Sequence, residues 1–304
     1  MGKLALVFPG QGSQKPGMGA DLAVEFEAAA DIYRRAGETV GWHVADVSFN
    51  GPEAKLNQTG FAQVALYVNS MAVMGVLKQR GVMGDVVSGH SLGEYSALAA
   101  AGTISFEEGL ELVEARGMAM ADAARERPGL MAAILGLDDV AVEAICAEAG
   151  DVWPVNYNCP GQVVVSGLAQ SVRRAMSKAL DAGARKTVEL PVSGAFHSPY
   201  MRNAAGEMKE RLAGALFKDP QPPFFSSISC RYETAAGLAG LLVSQIVSPV
   251  RWRQAVEAMI ADGVDRFLEV GNGKVLTGLI RRINRDVAAA SVSDPAGLEN
   301  ANRI

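Results

Sequence analysis

The spacing of apolar runs changes between residues 127 and 192, and this change constrains the fold more than any other feature of the chain. Leu130–Leu135 predicts a strand, Val140–Ala149 a helix, Trp153–Tyr157 and Gln162–Ser166 two strands close together, Val172–Ala182 a helix, and Lys186–Leu190 a last strand. The order β-α-β-β-α-β is ferredoxin-like. Before it, a strand at Leu4–Phe8 precedes helices at Asp21–Gly37 and Phe61–Gln79. A strand at Asp85–Ser88 then leads to helices at Leu92–Ala101 and Phe106–Ala124, the last with a capping box from Ser105 and Glu108. After it come helices at Met201–Leu216, Leu238–Ile246 and Trp252–Asp262, and strands at Phe224–Ser229 and Arg266–Val270. Strands alternating with helices predict a parallel sheet covered on both faces. The expected fold class is α/β: a large parallel-sheet domain from residues 1–126 and 193–304, with a small ferredoxin-like domain inserted at 127–192.

Bulk properties narrow the function. The chain has 304 residues, 49% of them hydrophobic and 20% charged, which places it among ordinary globular proteins. Its net charge is -5 and it has no long basic run, so nucleic acid is not an expected partner. Cys146, Cys159 and Cys230 are far apart and odd in number, which fits neither a disulfide framework nor a zinc site. They fit a reducing compartment. The first apolar run breaks at Pro9-Gly10-Gln11-Gly12, too short for a signal peptide. No stretch is expected to reach the length needed to span a bilayer. The expectation is a cytoplasmic protein with no membrane partner.

Gly89-His90-Ser91-Leu92-Gly93 matches G-x-S-x-G between a predicted strand and a predicted helix, the context in which this motif exposes a nucleophilic serine. The plainer alternative is a chance match in an ordinary strand–helix turn. A serine needs a base, and the chain has three histidines. His90 adjoins Ser91 on a sharp turn and reads as a residue bracing it. His43 follows Trp42 in a loop and reads as structural or surface. By elimination His197, in the turn-rich Gly194-Ala-Phe-His-Ser-Pro199, is the candidate base. The Leu92 amide is the usual first oxyanion donor, and the Gly10-Gln11-Gly12 loop is well suited to supply the second. Those glycines fit neither a dinucleotide fingerprint nor a phosphate loop.

These pieces resemble the malonyl-CoA:acyl carrier protein transacylases of fatty acid synthesis and the acyltransferase domains of polyketide synthases. The resemblance covers nearly the whole chain. It is carried by Phe8-Pro-Gly-Gln-Gly-Ser-Gln14, Gly89-His-Ser-Leu-Gly-Glu-Tyr-Ser-Ala97, Arg116, Gly194-Ala-Phe-His197, Gln245 with Pro249-Val-Arg-Trp252, and Glu269-Val-Gly271 with Gly273. It implies a hydrolase-like large domain beside the ferredoxin-like one. It also implies that Ser91 carries the acyl group, His197 is the base, and the Gln245 carbonyl orients that histidine. The amides of Gln11 and Leu92 would form the oxyanion hole, Arg116 would bind the free malonyl carboxylate, and Gln63 would lie nearby. A Phe before the histidine, here Phe196, goes with malonyl rather than methylmalonyl. Asn158, in Asn156-Tyr-Asn-Cys-Pro-Gly-Gln162, falls in a loop expected to line the acyl or pantetheine path, or else to be an ordinary turn.

On the residues alone, the plainer reading of Arg116 is a surface arginine paired with Glu111, Glu114 or solvent. A guanidinium fork nevertheless matches a carboxylate. The implied reaction is ping-pong malonyl transfer from malonyl-CoA to acyl carrier protein, by a chain expected to be monomeric, with no metal or bound cofactor. Arg281, Arg282 and Arg285 are candidates for the basic patch that receives the carrier, against the alternative of a solvated helix face. Two positions depart from the family pattern: Asn272 and Val64 stand where proline is usual. A serine hydrolase and a non-catalytic acyl-binding subunit are the competing readings.

Overall fold

The run Leu4–Phe8 is buried at every position, so it needs apolar cover on both faces and belongs in the middle of a parallel sheet. In the computed structural model, which describes residues 2–192, 194–301 and 304, this segment is the start of a succession of strands. They are β1 (Lys3–Phe8), β2 (Val86–Gly89), β3 (Leu130–Leu135), β4 (Val152–Cys159), β5 (Gln162–Gly167), β6 (Lys186–Glu189), β7 (Phe224–Phe225), β8 (Tyr232–Glu233), β9 (Val264–Val270) and β10 (Ala288–Val292). The large sheet has the order β10-β9-β1-β2-β7-β8. All its neighbours are parallel except the β7–β8 hairpin.

The second sheet has the order β4-β5-β3-β6 and is antiparallel throughout. Ranked within this segment, that is second, third, first, fourth, the ferredoxin-like arrangement expected from the element order. Alternate residues of β3 serve two cores, because side chains alternate across a strand. Ala132 and Ile134 pack with Val142, Ile145, Val172 and Ala175 of the two covering helices, Asp139–Ala149 and Ala169–Asp181. Met131 and Ala133 join the core of the large domain. The small sheet is tied to the large domain at Val250, which lies outside the large sheet: its amide donates to Val155 O (2.8 Å), and its carbonyl accepts from the Tyr157 amide (2.9 Å). Arg253 and Asp139 add an ion pair across the same joint at 2.8 Å.

Several expectations need correction. The helix expected at Asp21–Gly37 is two helices, Ala20–Glu25 and Glu27–Val40, because Phe26 between them is extended (φ -125°). The strand expected at Phe224–Ser229 stops at Phe225, and the chain turns back so that the Ser226 amide meets Arg231 O at 3.0 Å. A helix at Val44–Asn50 and strand β10 were not anticipated, and Arg281 and Arg282 do stand on a helix, Val275–Ile283. One stretch does reach spanning length: Thr59–Gln79 is a 21-residue helix whose most apolar 18 residues have a mean hydropathy of 1.5. It is apolar because it is the central helix of the core, with 83% of its most apolar stretch buried inside the protein. The capping box of helix Phe106–Glu126 forms as expected: Ser105 Oγ accepts from the Glu108 amide, and Glu108 accepts from the Ser105 amide.

Candidate active site

The turn after β2 is set by contacts that admit only glycine at its flanks. A Cβ on Gly89 would lie 2.0 Å from the Gly93 backbone, and one on Gly93 would lie 2.0 Å from Phe8 O. Ser91 between them takes a left-handed backbone (φ 52°). The His90 amide donates to Phe8 O at 3.0 Å, which pins the turn to the end of β1. Gly10 also lies against the turn, since a Cβ there would meet His90 O at 2.5 Å. The loop carrying Gln11 therefore sits against the serine turn. Among the described residues, neither the Gln11 nor the Leu92 amide donates to a protein acceptor.

His197 meets Ser91 from the segment that re-enters the large domain, also in left-handed backbone (φ 60°). Its Nε2 is 2.7 Å from Ser91 Oγ and its Nδ1 is 2.9 Å from the Gln245 carbonyl. That carbonyl lies at the C-terminal end of helix Ala235–Gln245, where helical acceptors are free. A carbonyl can only accept, so Nδ1 carries the proton and the bare Nε2 accepts the Ser91 hydroxyl. Burial first, then the nearby Arg116 charge, pushes the His197 pKa down to about 3, so the ring is neutral.

Arg116 is not a surface arginine: it is 1% exposed. Its guanidinium donates to Gln63 Oε1 (2.6 Å), Ser91 Oγ (3.0 Å) and Gln245 Oε1 (3.0 Å). Every one of these acceptors is neutral, and among the described residues Nε has no partner. Burial lowers the Arg116 pKa, with Tyr95 and Glu94 opposing. A buried cation held by dipoles alone is costly unless an anion arrives.

Glu94 was read only as part of a motif. It is fully buried, and its Oε1 accepts from Ser226 Oγ, the Ser227 amide and Ser227 Oγ at 2.7–3.0 Å. Its Oε2 accepts from Gln245 Nε2 at 2.6 Å. Burial raises its pKa and these donors oppose the rise. The one signal in the sequence is an acidic residue in the first turn of an otherwise apolar helix, which ordinarily means an exposed partner for the helix dipole.

Gln11, His90 and Asn158 line a cleft of about 420 Å³ between the two sheets, together with Val164, Val275, Leu276 and Leu279. His90 Nε2 and Asn158 Oδ1 meet at 3.0 Å across the joint, so His90 braces the turn against the small sheet rather than approaching Ser91. Phe196 packs in the core near Ala124 and Gly194. Of the three basic candidates, Arg282 donates to Gln162 Oε1 (2.9 Å) on the rim of this cleft, while Arg281 is tied back to Ala289 O (2.6 Å). His43 lies apart, in a separate surface pocket with Trp42. Asn272, which replaces the usual proline, hydrogen-bonds Ser13 O and so holds the loop that follows Gln11.

Comparison with known proteins gives a consistent result. A family described as "Acyl transferase domain" matches residues 5–300. The malonyl CoA-acyl carrier protein transacylase of Bacillus subtilis (strain 168) is 41% identical, with 99% of this chain and 96% of the relative covered. The protein of the same name from Escherichia coli (strain K12) is 40% identical, with 99% of each covered. An acyl carrier protein S-malonyltransferase from Vibrio cholerae superposes with a TM-score of 0.95 at 42% identity, covering 98% of this chain and 99% of that one. A type II PKS acyl-carrier protein in complex with its malonyl-transacylase gives 0.96 at 40% identity, with 98% of both covered.

Proposed function

The chain belongs to the acyl transferase family, and from that premise we propose that it moves a malonyl group from coenzyme A to acyl carrier protein through an ester on Ser91. It thereby supplies extender units for fatty acid or polyketide synthesis. The observation that carries this reading is the position of Ser91 Oγ, 2.7 Å from a neutral imidazole and 3.0 Å from a buried guanidinium that has no acid partner among the described residues.

Ser91 gives its proton to His197 Nε2 as Oγ attacks the thioester carbonyl. The amides of Gln11 and Leu92 receive the oxyanion. The C–S bond breaks, and the leaving thiolate takes the proton from His197. In the second half the carrier thiol gives His197 its proton and attacks the malonyl ester, returning Ser91 to its hydroxyl. Arg116 holds the far carboxylate of malonyl throughout, with Gln63 beside it. Acetyl would leave that cation unsatisfied, a penalty of about 3–5 kcal/mol. Gln245 orients His197 through a neutral carbonyl, where a hydrolase triad has an acid.

Residues 127–192 act as the small domain and the remainder as the catalytic domain, with the thioester arm entering between them past Asn158. The bulky Phe196 ring disfavours an α-methyl group, so malonyl is preferred over methylmalonyl. The chain acts as a monomer in the cytoplasm, where its three free thiols suit a reducing environment.

Intact-mass measurement after incubation with malonyl-CoA tests the reading. Wild type should carry a malonyl adduct that carrier protein removes, and Ser91→Ala should carry none. An adduct lost equally fast to water alone would favour a hydrolase.

A further inference from the structure

We propose that Glu94 is the positioning residue that aims Arg116, acting through the side chain of Gln245. Gln245 links four residues of the site: its main-chain carbonyl holds His197, its Nε2 donates to Ser91 O (3.0 Å) and to Glu94 (2.6 Å), and its Oε1 receives Arg116. A carboxamide has two ends, and something must decide which faces the guanidinium. Reversed, its NH2 would face the Arg116 donors and its oxygen would face the Glu94 carboxylate and a carbonyl. Glu94 makes the decision, because a carboxylate accepts only. Glu94 is itself held by donors on its other oxygen, Ser226 Oγ, Ser227 Oγ and the Ser227 amide. These come from the turn where β7 ends early, so that departure from the expected strand supplies the clamp.

The arrangement also separates charge. The anion closest to Arg116 along this path is one amide away, so the guanidinium is balanced without being consumed. A carboxylate placed directly on Arg116 would compete with substrate. Without Glu94, only the Ser91 carbonyl and Arg116 itself would hold the amide in this orientation. Glu94 does not touch the hydroxyl or the imidazole, and His197 is anchored by main chain rather than by the Gln245 side chain. Loss of Glu94 should therefore disturb carboxylate recognition more than nucleophile activation.

The inference rests on the malonyl-transfer reading. Its test compares acylation of Ser91 by malonyl-CoA and by acetyl-CoA, in wild type and Glu94→Gln. The new carboxamide places an NH2 against Gln245 Nε2 and drives Gln245 to turn. The ratio of malonyl to acetyl kcat/KM should fall by about tenfold or more, the scale of one lost hydrogen bond to a charged group. Ser226→Ala, which weakens the clamp and keeps the carboxylate, should move the ratio the same way by a smaller factor and covers the case in which Glu94→Gln does not fold. Equal losses with both thioesters would mean that Glu94 is only a structural prop and would overturn the proposal. An unchanged ratio in Ser226→Ala and Glu94→Gln would overturn it as well. Wild type that no malonyl-CoA acylates would instead defeat the functional reading itself.

Discussion

Ser91 and His197 are 106 residues apart in the chain, yet both occupy left-handed backbone and bring Oγ and Nε2 to 2.7 Å. Left-handed conformation at a residue with a Cβ costs roughly 1–2 kcal/mol. The turn is held by packing of Gly89 and Gly93 against neighbouring backbone rather than by the serine itself. Ser91→Gly should then be more stable than Ser91→Ala by about 1 kcal/mol, though both are inactive. Urea unfolding of the two variants measures this, and equal midpoints would refute the strain.

Arg116→Met tests carboxylate recognition. Removing the guanidinium relieves one desolvated cation but leaves Gln63 Oε1 and Gln245 Oε1 without their donor and Glu94 without a nearby counter-charge. The melting temperature is expected to fall by a few degrees, in line with a cost of about 1–3 kcal/mol. Malonyl-CoA kcat/KM should drop by about two orders of magnitude or more, from the loss of a buried ion pair worth about 3–5 kcal/mol with substrate. Acetyl-CoA should lose far less. A parallel collapse of stability and of both activities would contradict the assignment.

The pH dependence follows from His197. Its pKa in the fold is depressed to about 3, while the unfolded chain binds a proton near the ordinary histidine value. Between those values the unfolded state holds the extra proton. The stability contributed by the neutral ring is thus complete above about pH 6.5 and is lost as pH falls towards 3. For catalysis the base stays free through the same window. Malonyl-CoA kcat/KM should show its acid limb below about pH 5. A midpoint between 6 and 7 would show a ring far more hydrated than this one.

Carrier docking is tested at the cleft rim. Arg282 stands beside Gln162, where a thioester arm would enter. Arg282→Glu should raise the apparent KM for acyl carrier protein several-fold, in line with steering by complementary charge. KM for malonyl-CoA should change less. Arg281→Glu should do less to the carrier because that side chain is tied to Ala289 O. Identical shifts for both thiol carriers would place the docking face elsewhere.

What could be read from sequence was whatever obeys a local rule. The serine turn follows from Gly89 and Gly93, and the small domain follows from strand spacing alone. His197 was reachable because the chain has so few histidines. Gln245, Gln63 and Arg116 carry no local signal. A glutamine or arginine within a helix reads the same whether it faces solvent or a buried cavity, and only long-range packing decides. Glu94 was hidden by the same ambiguity, since an acid at a helix start is normally a surface feature. The end of β7 was misplaced for a related reason: Ser226 and Ser227 leave the sheet to serve a carboxylate that is 132 residues earlier in the chain or more.

The central helix Thr59–Gln79 has a cost outside the native state. Its apolar surface is wrapped from both directions of the chain, by helix Glu27–Val40 before it and helix Phe106–Glu126 after it. During synthesis the earlier helix is already made, but the face owed to the later one emerges as a bare greasy strip, open to a chaperone or a neighbouring nascent chain until Phe106–Glu126 leaves the ribosome.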